Sequence, residues 1–211
     1  MAYTIEEEQE LSAIKAWWNE NYKFIIVCFV IAFGGVFGWN YWQSHQIQKI
    51  HSASAEYEQV LFNYVKDPKA QAEQFSQFIK NHEKTSYAVL ALLDKAKIAV
   101  ENNDFTLAED ALKQAMAQST DDILSSITAL RLASVQFQLG QFDPALDSLK
   151  LVKEQAWSGA KNILAGDIQL AKGDKEAAKA SYQQAQQHAS PLEQQLIQVR
   201  LNLSRDRKSV V

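Results

Sequence analysis

The sequence holds one cysteine, three prolines and seven glycines in 211 residues, and it lacks any excess of basic charge. Cys28 has no second cysteine to pair with, so disulfides within the chain and thiolate metal clusters are both excluded. Each of the three prolines falls at a plausible helix boundary, and β-branched alternation is almost absent, which excludes a sheet and predicts an all-α fold. Net charge is −4, and basic and acidic residues nearly balance from Gln43 onward. The soluble part therefore shows no overall cationic surplus of the kind that tracks a phosphate backbone, and nucleic acid is not an expected partner.

Long apolar runs are also missing, with one exception. Phe24 to Trp42, F-I-I-V-C-F-V-I-A-F-G-G-V-F-G-W-N-Y-W, contains no charged residue. A helix of that length reaches about 28 Å, close to the roughly 30 Å hydrocarbon thickness of a bilayer. Ten of its residues are Phe, Ile or Val, and on the insertion scale they contribute about −3 to −6 kcal/mol, enough to favour a membrane span. Trp39, Tyr41 and Trp42 at one end, and Tyr22 with Lys23 at the other, suit headgroup depth. The exit W-N-Y-W-Q-S-H-Q lacks the small residues of a signal-peptidase site, so the span reads as an uncleaved anchor in contact with the lipid bilayer. Gly34 and Gly38 form a G-x-x-x-G strip on which a second transmembrane helix can approach closely. Lys15 and Lys23 precede the span and Lys49 follows it, a bias toward a cytoplasmic N-terminus that charge alone does not fix.

Residues 1–23 read as a short amphipathic tail. Thr4-Ile5-Glu6-Glu7 has capping-box spacing, and Leu11, Ile14, Trp18 and Tyr22 recur at helical intervals. Its glutamates outnumber its lysines, which argues against attachment to anionic lipid.

Residues 43–211 carry a repeat. The turns N-N-D-F-T-L-A (from Asn102), L-G-Q-F-D-P-A (from Leu139) and K-G-D-K-E-A-A (from Lys172) each end in an alanine. Ala108, Ala145 and Ala178 lie 37 and 33 residues apart, near the ~34-residue tetratricopeptide period. Gly140 and Gly173 suit the end of a helix, and Asp143-Pro144 is expected to supply an N-cap and a first helical residue. Ala115 and Ala185 recur seven residues after two of the turn alanines, with Leu112, Leu149 and Tyr182 in matching apolar slots. Ala96, Ala133 and Gly166 occupy the small position of the first helices, although the usual tryptophan of the motif is missing. An earlier pair, Ser52 to Val65 and Ala70 to Asn81, breaks at Asp67-Pro68, and Pro191 to Leu203 forms a last helix capped by Ser190. With no Gly or Pro between Trp42 and Val65, the first of these is expected to run on from the anchor.

First helices of such pairs line the concave side of a solenoid. By alignment the lining comprises Leu90, Leu93 and Lys97, then Ile127, Leu130, Ser134 and Phe137, then Ile163, Asp167 and Leu170. The set is mostly apolar and lacks the Lys and Asn pattern that clamps a C-terminal carboxylate, so an apolar segment or helix is the expected guest. No catalytic, metal or cofactor site is recognisable. His45, His51, His82 and His188 are scattered, and Glu109-Asp110 and Asp121-Asp122 are adjacent acids about 100° apart around a helix.

The acidic lead-in, the span ending in Gly38 to Gln46, the following S-A-S-A-E-Y (Ser52 to Tyr57) and R-L-A-S-V-Q-F-Q-L-G-Q-F-D-P-A-L (Arg131 to Leu146) resemble the ancillary SecYEG translocon subunit family, YfgM-type proteins of Gram-negative inner membranes. The resemblance implies a cytoplasmic 1–23, a span at 24–42 and a periplasmic 43–211. It also implies association with SecYEG and with the membrane-anchored chaperone PpiD, possible contact with translocating polypeptides, and a non-enzymatic role in handing them to periplasmic chaperones. On the residues alone a cytosol-facing docking receptor, or a regulator acting through the N-terminal tail, stays open.

Overall fold

The computed structural model describes residues 5–187 and 191–206, which are helical throughout apart from short turns, with no strand among them. Thr4, Ser190 and the tail after Asp206 lie outside the described residues, and with them the capping-box threonine and the expected cap of the last helix. The chain divides into two units, residues 1–48 and 49–211.

The first unit is the leading part of α1 (Ile5–Lys66), a helix of 62 residues. No break separates the amphipathic lead-in from the apolar run, and the helix contains no proline. Its side chains from Phe24 to Trp42 are almost all exposed, and the helix is long and apolar enough to cross a membrane. Phe29, Phe33 and Phe37 stack one turn apart with ring centroids 6.0 and 6.4 Å from each other, forming an aromatic ridge.

The second unit begins with the last turns of α1 and is built from antiparallel hairpins. Asp67 ends α1 because the residue before a proline is pushed out of the helical region, and its Oδ1 then accepts from the Ala70 amide at 3.0 Å. In α2 (Ala72–Asn81), Phe75, Phe78 and Ile79 fall on one face and bury against Val60 and Tyr64 of α1, with the Tyr64 and Phe75 rings 4.4 Å apart. Three hairpins follow: α3 (Ser86–Glu101) with α4 (Phe105–Gln118), α5 (Asp122–Gln138) with α6 (Phe142–Lys150), and α7 (Ser158–Lys172) with α8 (Lys175–Gln186). A 3-10 turn at Gln155–Trp157 precedes α7, and α9 (Pro191–Asp206) packs on α8.

The three hairpin turns are the same object. Asn103, Gly140 and Gly173 have φ of 59°, 72° and 95°, and each left-handed residue closes a Schellman motif. The amides of Asp104, Gln141 and Asp174 reach back to the carbonyls of Ala99, Gln136 and Gln169 at 2.8, 2.8 and 2.9 Å. Asp104 and Asp174 then cap the second helix by accepting from Leu107 and Ala177 at 3.0 and 3.1 Å.

The middle turn departs from expectation. Gln141, not Asp143, occupies the N-cap, because the Schellman closure brings the chain into helical geometry at Phe142. Asp143 sits in the first turn, paired with Lys172, and Pro144 follows where a missing amide costs no hydrogen bond.

Ala108, Ala145 and Ala178, with Ala115 and Ala185, are wholly buried, so the second helix of each pair lies close on the first. Leu112, Leu149 and Tyr182 are buried beside them, in the same clusters as the small residues Ala96 and Ala133 for the first two pairs.

Candidate partner-binding groove

The first helices α3, α5 and α7 enclose two adjoining clefts. One, of about 440 Å³, lies between α3 and α5 and is walled by Leu93, Val100, Phe105 and Val135, with Lys97 and Glu101 at its edge. The other, of about 420 Å³, lies between α5 and α7 and is walled by Leu130, Trp157, Ile163 and Leu164, with Leu196 and Arg200 of α9 at its far side. Arg131 and Ser134 belong to both clefts, which makes them one groove with α5 as its floor.

Of the residues aligned to the concave side, Leu93, Lys97, Leu130, Ser134, Ile163 and Asp167 lie in this groove. Leu93 is only 4% exposed and contributes an edge of the core, whereas Lys97 and Ser134 are exposed. Leu90 is partly buried against the cluster of the first hairpin, Phe137 against that of the middle pair and Leu170 against that of the last. Ile127 is half-buried and lines neither cleft. Repeat alignment missed Val100, Phe105, Trp157 and Arg131. Val100, seven residues after Leu93, could have been found by extending the same helical face; Trp157 and Arg131 carry no repeat signal.

Polar side chains hold the walls together from behind. Glu109 of α4 is 6% exposed and accepts from Gln136 at 3.2 Å, Gln141 at 3.3 Å and Lys113 at 2.8 Å, while Ser148 of α6 donates to the Gln136 amide oxygen at 2.6 Å. Burial by itself would raise the Glu109 carboxyl, but these hydrogen bonds and the Lys113 charge outweigh it and leave the group below its ordinary value. Asp167 of α7 plays the corresponding part at the other end. It accepts from Tyr182 Oη at 2.8 Å and from Arg200 Nε at 2.7 Å, tying α7 to α8 and α9. Burial, and then the bond to Asp167, raises the Tyr182 hydroxyl above the usual phenol range, so it remains a donor.

Among the described residues no three His, Cys, Asp or Glu side chains gather as metal ligands. What is assembled is an apolar trough on a stack of hairpins, a surface suited to a polypeptide guest.

The comparisons agree with this architecture. Residues 15–204 match the family model of the tetratricopeptide repeat-like domain. The chain is 88% identical over 202 residues to the ancillary SecYEG translocon subunit of Aggregatibacter actinomycetemcomitans, covering 96% of this chain and 99% of that protein. The chain belongs to the ancillary SecYEG translocon subunit family. Family members of the same name in Haemophilus influenzae and Escherichia coli are 54% and 31% identical over 202 and 197 residues, covering 96% and 93% of this chain and 99% and 95% of theirs. The family match therefore takes in the apolar part of α1 as well as the hairpins. On that apolar part, Gly34 and Gly38 leave open space where a Cβ would project.

Proposed function

We propose that this chain is an accessory subunit of the SecYEG translocon, held in the bacterial inner membrane by a single pass at 24–42. In this reading residues 1–23 are cytoplasmic and residues 43–211 face the periplasm. The groove on α3, α5 and α7 takes apolar segments, either of translocated polypeptides or of a partner such as PpiD, and passes translocated chains to periplasmic chaperones without bond-making chemistry. The observation that carries the reading is an apolar trough on a hairpin stack in a chain that also holds a helix long and apolar enough to cross a membrane, and that is matched nearly end to end by proteins named as translocon subunits. Gly34 and Gly38 offer the close-approach face for a neighbouring membrane helix.

Two measurements test it. Alkaline phosphatase fused after Val211 should be active and a fluorescent cytoplasmic reporter dark; the reverse favours the cytosol-facing docking receptor. Photo-crosslinkers at Val100 and Ser134 should capture chaperone or client, and one at Gly38 a membrane neighbour. Absence of SecYEG from detergent-solubilised complexes of the full chain would end the reading.

A further inference from the structure

We infer that the groove selects an apolar segment bearing one carboxylate, and that Arg131 is the residue that selects it; this rests on the docking function proposed above.

Arg131 stands on α5 where the two clefts meet, so a segment crossing the groove must pass it. The other groove charges are already matched. Asp167 is bonded by Arg200 and Tyr182, and Lys97 lies 3.9 Å from Glu101. Among the described residues no carboxylate pairs with Arg131, so the unbalanced charge of the trough is positive and central. Ser134, one turn along, donates to its own helix at the Leu130 carbonyl at 2.9 Å and does not compete for a ligand acceptor.

A guest that fills both apolar clefts takes water away from the guanidinium between them. Covering an unpaired charge is costly, and the cost disappears only if the guest brings an acceptor. The planar fork of arginine fits the two oxygens of a carboxylate side by side. A wholly apolar guest is therefore penalised, and a lysine-bearing one more so, which is discrimination by mismatch as much as by attraction. With Glu101 and Asp167 already paired, the groove offers one unmatched cation and not a run of them, so one acid between two apolar stretches fits, and an anionic lipid surface or a nucleic acid finds no further charge to pair.

The test uses the full chain in discs of zwitterionic lipid, with empty discs as the blank. Two labelled leucine-rich peptides that differ only in a central Glu or Gln are titrated by fluorescence anisotropy. Wild type should bind the Glu peptide about tenfold more tightly. Arg131→Gln should abolish the difference, and Arg131→Glu should prefer a third peptide of the same sequence with a central Lys, a gain that misfolding does not produce. Equal binding of both peptides by wild type, or a Glu preference that survives in Arg131→Gln, overturns the inference. If that equal binding is weakened for both by Val100→Asp, docking stands and selection by Arg131 falls. If neither peptide binds, both fall.

Discussion

The Tyr182 ring lies where a side chain at Gly166 would be: a Cβ on Gly166 would come within 2.4 Å of Tyr182 Cε1 and 2.8 Å of Cζ. The ring is fully buried and its hydroxyl is fastened to Asp167, the residue after the glycine, so it has nowhere to retreat. Gly166→Ala should therefore destabilise the last hairpin by about 1–3 kcal/mol despite the better helix propensity of alanine. Urea midpoints by circular dichroism check this, and adding Tyr182→Leu should recover part of the loss by making room.

Gly140 is a contrasting case. A Cβ there would meet nothing within 4 Å, but the residue has a φ of 72°. Gly140→Ala should cost about 1 kcal/mol from backbone conformation alone. Asn103→Gly, at the equivalent position of the first hairpin, should be neutral or slightly stabilising, and a cost comparable to that of Gly140→Ala would contradict the shared turn geometry.

Acid should loosen the contact of α4 with α5 and α6. The Glu109 carboxyl is held below its ordinary value, so the stability it contributes is full above the unfolded carboxyl range near pH ~4.3 and is lost as pH falls through the lower folded value. At pH 7 Glu109→Gln should cost about 1 kcal/mol, and the gap to wild type should close below about pH 4. A gap that stayed constant down to pH 3 would show that the charge contributes nothing.

Asp167→Ala should release α9. It removes the shared acceptor of Tyr182 and Arg200 and leaves a partly buried guanidinium unpaired, for a loss of about 1–3 kcal/mol. Hydrogen exchange should rise in α9 and α8 while α3 and α4 keep their protection; a uniform rise would mean that the pair does not act locally.

The parts of the fold legible in the sequence are those written in short stretches. An uninterrupted apolar run, a glycine after a helix and alanines at a fixed period each have a local physical meaning, and the apolar helix, the hairpins and their order followed from them, whereas the fusion of the lead-in with that helix from Ile5 did not. The Asp143 cap did not, because Asp-Pro is a good helix start in isolation, while the preceding Schellman closure had already started the helix at Phe142. Asn103 was legible in principle, since asparagine tolerates a left-handed backbone better than most residues.

The groove was legible only in outline. Repeat period placed Leu93, Lys97 and Ser134 on the first-helix face, but Leu90 and Leu93 are alike in sequence and pack in the same cluster, and only Leu93 also lines a cleft. Sequence by itself determined that this chain is an apolar tether followed by alanine-hinged helix pairs, because helix period, turn chemistry and insertion energy all act over a few residues. Only tertiary structure decided which apolar side chains remain as trough and which become core, and that Arg131 stands uncompensated between two clefts, because burial and charge balance depend on neighbours supplied by other helices.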